Sequence, residues 1–121
     1  MQPIEIADPA DERLADFRDL TDADVRPDRR GIVIAEGANV VERLVESPYR
    51  VRAVVGVRTR IDALRDALST VDAPVYVVDK WLLSETVGFR VTRGVLASAD
   101  RPVPASPFAL STGARRLAVL E

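Results

Sequence analysis

The 121-residue chain contains no cysteine and no histidine. Their absence excludes disulfide scaffolds, thiolate or imidazole metal sites, cysteine nucleophiles and any histidine-dependent triad or acid–base pair. Lysine is nearly absent too: Lys80 stands alone and follows Asp79, so no P-loop can be formed. The glycines at 31, 37, 56, 88, 94 and 113 spell no GxGxxG. Long apolar runs are missing, since Ile32–Ala35, Ala53–Val57 and Val75–Val78 are far too short to span a bilayer. The N-terminus is acidic where a signal peptide would be basic and then apolar, which points to a cytoplasmic protein. With 47% hydrophobic and 30% charged residues, the chain has the composition of one folded domain rather than a disordered or fibrous one. These absences leave a small soluble domain without the residues of a self-sufficient enzyme.

The formal net charge of −2 hides a division. Residues 1–25 carry eight acids against Arg13 and Arg18, a balance of −6, while the remainder holds fifteen basic groups against eleven acids, a balance of +4. Arg26, Arg29, Arg30, Arg43, Arg50, Arg52, Arg58 and Arg60 fall in one stretch with four acids. Arginine is the better bidentate phosphate ligand. An acidic arm on a basic body therefore suggests a polyanion binder whose arm shields the basic rim.

Residues 1–30 read as an acidic N-terminal arm with a short helix, capped by Asp8 with Pro9 at its first position. From residue 31 strand and helix patterns alternate. Gly31–Glu36, Val51–Val57, Val75–Val78 and Gly94–Ala99 are strand candidates, rich in β-branched residues. Residues 38–46 place Val40, Val41, Leu44 and Val45 on one helical face, and Ser47–Pro48 stops that helix. Thr59 is the expected cap of a second helix whose stripe is Ile61, Leu64 and Leu68. Asp79 caps a third, Lys80–Val87, which ends at Gly88. The series predicts an α/β fold, a sheet between two helix layers. Residues 102–114 have the composition of a Pro-rich linker, and 115–121 open like a further strand.

"IVIAEGANVVERLVESPYRVRAVVG", "APVYVVD" and "VGFRVTRGVLASADRP", in that order, resemble the N-terminal substrate-binding domain of SpoU (TrmH-type) RNA 2′-O-ribose methyltransferases. The resemblance covers residues 31–101 and is carried by Glu36-Gly37, the Val41/Leu44 helix and the run from Gly88-Phe89 to Arg93-Gly94-Val95-Leu96-Ala97. It implies a three-layer α/β/α sandwich with a mixed sheet, like that of the L30e/L7Ae proteins. It further implies that 115–121 is the first strand of a SPOUT catalytic domain that the chain lacks. Family members often carry a His-Gln-Gly turn before the last strand; Thr92-Arg93-Gly94 stands there instead, so no role passes to those positions. The catalytic Asn-x-Gly-x-x-x-Arg motif is absent, because Asn39 is followed by Val40 and Val41. The resemblance thus implies no catalytic residue and no cofactor site in this chain, with S-adenosylmethionine bound by the parent enzyme. It implies a homodimeric parent paired through the catalytic domain, and a monomer for this part alone.

The implied partner is structured RNA, rRNA or tRNA, with no membrane partner and no metal. Gly37-Ala38-Asn39 lies at a strand-to-helix junction, where a glycine and unbonded helix N–H groups suit a phosphate; equally, Gly37 supplies a bend and Asn39 caps the helix. Arg58 and Arg60 follow a strand, Arg90 and Arg93 lie in the Gly88–Gly94 loop, and Arg43 is on the solvent face of the first helix. These five are expected on one rim, with Arg50 and Arg52 at the other end as solvated residues. Tyr76 and Trp81 are assigned to the core or its edge, Tyr49 to the surface, and Asp79–Lys80 to a cap and a solvated lysine. Two other functions fit the same basic rim: a protein-interaction module with an acidic partner, and a free-standing kink-turn binder.

Overall fold

The computed structural model describes residues 2–20 and 31–100. The expected linker at 102–114, the strand at 115–121, and Arg26, Arg29 and Arg30 lie outside the described residues. The elements are β1 (Ile4–Glu5), a 3-10 helix (Glu12–Phe17), β2 (Ile32–Glu36), α1 (Ala38–Glu46), β3 (Val51–Gly56), α2 (Arg58–Ala63), α3 (Arg65–Leu68), β4 (Val75–Val77), α4 (Lys80–Val87) and β5 (Val95–Asp100).

The five strands form one sheet in the order β1-β4-β3-β5-β2. β4 pairs parallel with β1 and β3, while β5 runs antiparallel to β3 and β2. The sheet is therefore mixed, as expected. Strand alternation divides the core into two layers. Ala53, Val55, Tyr76 and Leu96 face α4 and the 3-10 helix, packing with Leu14, Phe17, Leu82, Leu83 and Val87. Val54, Val75, Val77, Val95 and Ala97 face the other way, against Val41 and Leu44 of α1 and Ile61, Leu64 and Leu68 of the next two helices. This is the α/β/α sandwich, with the stripes of α1 and of Ile61/Leu64/Leu68 buried where periodicity puts them.

Five local expectations change. Residues 2–20 are not an arm outside the domain: β1 is a sheet strand, and Ile6, Leu14 and Phe17 are buried, the last two fully. Their apolar side chains outweigh the acidity of the segment, because acids on the outer face stay in water while the stripe is buried. The cap of its helix is Asp11, not Asp8: the Asp11 carboxylate accepts from the Arg13 N–H and guanidinium at 2.7–3.0 Å. Those bonds hold the Asp11 carboxyl at a pKa of about 2, below its ordinary 3.8. Asp8 closes only a turn, accepting from Ala10 N–H. Thr59 lies inside α2, whose N-cap is Val57 with no side-chain cap bond, and the single expected helix breaks at Leu64. Trp81 is exposed, at 65% of its surface, whereas Tyr76 is buried. Tyr49, expected at the surface, is half-buried against the second layer. The Asp79 cap on Leu82 N–H and the left-handed Gly88 that ends α4 are as expected.

Among the described residues no helix is long and apolar enough to cross a membrane, and no group of three or more acids could hold a metal ion.

Candidate nucleic-acid interface

Because β5 is antiparallel to β2 and β3, its N-terminal end meets their C-terminal ends, and the C-terminal ends of β4 and β1 join them. Backbone hydrogen bonds stitch this rim together. Ile6 N–H donates to Val77 C=O, Val78 N–H to Gly56 C=O, Val57 N–H to Gly94 C=O and Gly37 N–H to Val95 C=O, each at 2.9–3.0 Å. The helices α1, α2 and α4 all start from this rim, the end of an α/β sheet where ligands commonly bind.

Two glycines decide where the arginines lie. Gly37 has φ +96°, and a Cβ there would meet Cδ of Arg93 at 2.8 Å. Gly94 has φ +74°, and a Cβ there would come within 3.1 Å of Cγ of Arg60. The missing side chains let both arginine stems lie over backbone, where a larger residue would displace them. The result is an open cleft of about 490 Å³, lined by Gly37, Ala38, Asn39, Val40, Arg60, Thr92 and Arg93. Among the described residues the ion pairs involve Arg13, Arg52, Arg58 and Arg65; neither Arg60 nor Arg93 has an acidic partner. No acid lines the cleft, so its charge is positive and open to solvent.

The structure gathers Gly37, Asn39, Arg60 and Arg93 and separates the other candidates. Asn39 is exposed in the first turn of α1, and the cap position belongs to Gly37, which makes no side-chain bond. That removes the capping explanation for Asn39 and leaves its amide facing the cleft. Arg43, one turn further along α1, is exposed on the same helix face but outside the cleft. Arg58 is on the rim, yet its guanidinium donates to Glu5 at 2.6 Å, turned toward β1. Arg90 is exposed and does not line the cleft: the next residue, Val91, donates its N–H to Ser84 Oγ midway along α4, and the loop contributes Thr92 and Arg93 to the lining. Thr92 was missed because nothing in the sequence distinguishes it from any loop threonine.

At the opposite end, Arg52 is not a merely solvated residue. It is the extra residue of a bulge in β3, since Val51 and Ala53 pair with consecutive residues Ala99 and Ser98. From there it donates to Asp16 at 2.8 Å and to Asp100 at 2.9 Å, which holds its guanidinium charged well above the ordinary range. The fully buried Ser98 hydroxyl donates to the same Asp16 carboxylate at 2.8 Å.

This chain is 42% identical over 120 residues to an uncharacterized tRNA/rRNA methyltransferase of Mycobacterium tuberculosis, an alignment covering 97% of this chain and 42% of the relative. The chain thus spans about two-fifths of the length of the curated relatives it matches. Among solved structures, an rRNA methyltransferase from Sinorhizobium meliloti, solved also with AdoMet bound, matches with a TM-score of 0.64 at 16% identity, over 84% of this chain and 38% of that one. An RNA 2′-O ribose methyltransferase matches with a TM-score of 0.59 at 16% identity, over 82% of this chain and 38% of that one. At such identities these structures show the fold. No protein-family model matches the chain. The chain is an α/β domain similar to part of proteins named tRNA/rRNA methyltransferases, and it shares its fold with part of solved RNA methyltransferases.

AdoMet carries a sulfonium and an ammonium against one carboxylate, and the cleft, whose charged lining is two guanidiniums and no carboxylate, offers its two cationic groups no counter-charge.

Proposed function

We propose that this chain is the RNA-recognition part of an RNA 2′-O-ribose methyltransferase, acting on rRNA or tRNA, with methyl transfer left to a separate SPOUT catalytic domain. The observation that carries the reading is the cleft at the sheet rim. Arg60 and Arg93 lie there without acidic partners, beside the N–H groups that open α1 and the Asn39 amide. Guanidiniums and helix N–H groups suit phosphate oxygens, and an amide can reach a base edge or a ribose hydroxyl. The likeness to proteins named tRNA/rRNA methyltransferases supports RNA over other polyanions.

Salt-dependent binding tests it. The log–log slope of affinity for rRNA against salt falls by roughly 1.5 to 2 when Arg60 and Arg93 are both replaced by Ala, because about two phosphate contacts are lost. Thermal stability stays within about 0.5 kcal/mol of the parent, as for other exposed substitutions. Arg50→Ala is the control and leaves the slope unchanged. The chain with labelled AdoMet and rRNA incorporates no methyl group above background. Negligible RNA affinity at moderate salt would overturn the reading in favour of a protein-docking module.

A further inference from the structure

The rim carries a second feature, on the other helix layer. Trp81 is in the first turn of α4, directly after the Asp79 cap, and 65% of its surface is exposed. The buried residues of α4 are Leu82, Leu83, Thr86 and Val87, so Trp81 has no part in the core the helix covers. Tryptophan is usually well buried, and an exposed one asks what covers its face.

We propose that Trp81 is a stacking platform for an unpaired base of the RNA that Arg60 and Arg93 hold by its phosphates, an inference that rests on the RNA-binding reading above. Three observations favour a base over a protein surface. Val78 is hydrogen-bonded to Gly56 within the rim, so the segment that launches Trp81 is tied to the strand ends that carry the arginines. An RNA strand crossing the end of the sheet passes from the cleft on one helix layer to Trp81 on the other. The surroundings of Trp81 are polar and of mixed charge: Asp79, Lys80 and Glu85 on its own helix are exposed. Finally, the only other exposed large hydrophobic among the described residues is Ile4, in the edge strand β1. A protein interface buries a contiguous apolar centre, whereas a lone aromatic among charged groups is how single-stranded nucleic acid is held.

Trp81 is the only tryptophan in the chain, so its fluorescence reports on this one position. The full chain is titrated with a short oligoadenylate and with a blunt RNA duplex of equal nucleotide count. The single strand quenches the emission saturably and the duplex does not. Trp81→Ala weakens binding of the single strand about tenfold, in the range of one lost base stack. It leaves duplex binding and melting temperature unchanged, and Trp81→Phe restores most of the affinity. If Arg60→Ala/Arg93→Ala weakens RNA binding while Trp81 emission and Trp81→Ala affinity show no effect, the stacking platform is wrong and the RNA-binding reading stands. If no RNA binds at all, that reading fails and this inference with it. An emission shift that follows protein concentration, matched by self-association in sedimentation, overturns the proposal in favour of an interface between copies of this chain.

Discussion

At one end of the sheet Arg52 stands out of a bulge and is neutralised by Asp16 and Asp100; at the other, Arg60 and Arg93 lie over glycine backbones in a cleft without acids. The residue type is the same, and the backbone beneath it differs. A bulge turns the Arg52 side chain sideways into the 3-10 helix, where it joins two layers of the sandwich. A glycine with positive φ instead lets an arginine stem pass close above the chain and leaves the guanidinium in water. Arginine content therefore says little about binding until the partners of each guanidinium are known.

The comparison breaks first where the paired end is built. Phe17→Ala removes a fully buried ring from the 3-10 helix, and the expected loss is about 3–5 kcal/mol. Denaturant titration measures it. A loss near zero would mean that residues 2–20 are an appendage after all, and that the Arg52 end needs no such support.

Asp16→Ala tests the pairing itself. It leaves Arg52 with Asp100 alone and takes the acceptor from the buried Ser98 hydroxyl, which costs about 1–3 kcal/mol. RNA affinity of the folded protein should not fall. If the salt slope of binding changed as much as it does for Arg60 and Arg93, the two ends would not be functionally distinct.

Gly94→Ala sharpens the contrast from the other side. The methyl group is forced into a left-handed conformation against Val57 and Arg60, a strain of about 1–2 kcal/mol. The displaced Arg60 should cost RNA affinity as well. Calorimetry and a binding titration on the same sample separate the two effects. Unchanged affinity would show that the position of the Arg60 stem is immaterial.

Much of the sandwich was legible because apolar periodicity survives in the chain. The four longer strands, the buried face of α1 and the Ile61/Leu64/Leu68 stripe follow from it. β1 was hidden because two residues carry no pattern, and the acidity of residues 1–25 drew attention away from Ile6, Leu14 and Phe17. The placement of Trp81 was legible and overlooked. At about 100° per residue, Trp81 lies roughly 170° from the middle of the Leu82/Leu83/Thr86/Val87 stripe. The candidate site was half legible. Gly37, Asn39, Arg60 and Arg93 converge, but the pairing of Arg58 with Glu5 depends on a contact between segments 53 residues apart in sequence. Local pattern cannot encode that.

The parallel pairing of β1 with β4 also bears on the time course of folding. Ile4 meets Tyr76 across more than half the chain. Ile4 and Glu5 must therefore wait, once made, until β4 has been synthesised before they find their partner. Closing so long a loop is entropically slow, whereas the β3–α2–α3–β4 unit closes over a much shorter span. During synthesis the β4 edge stands open as an unpaired strand, and docking of the N-terminal segment both seals that edge and completes the layer beneath it.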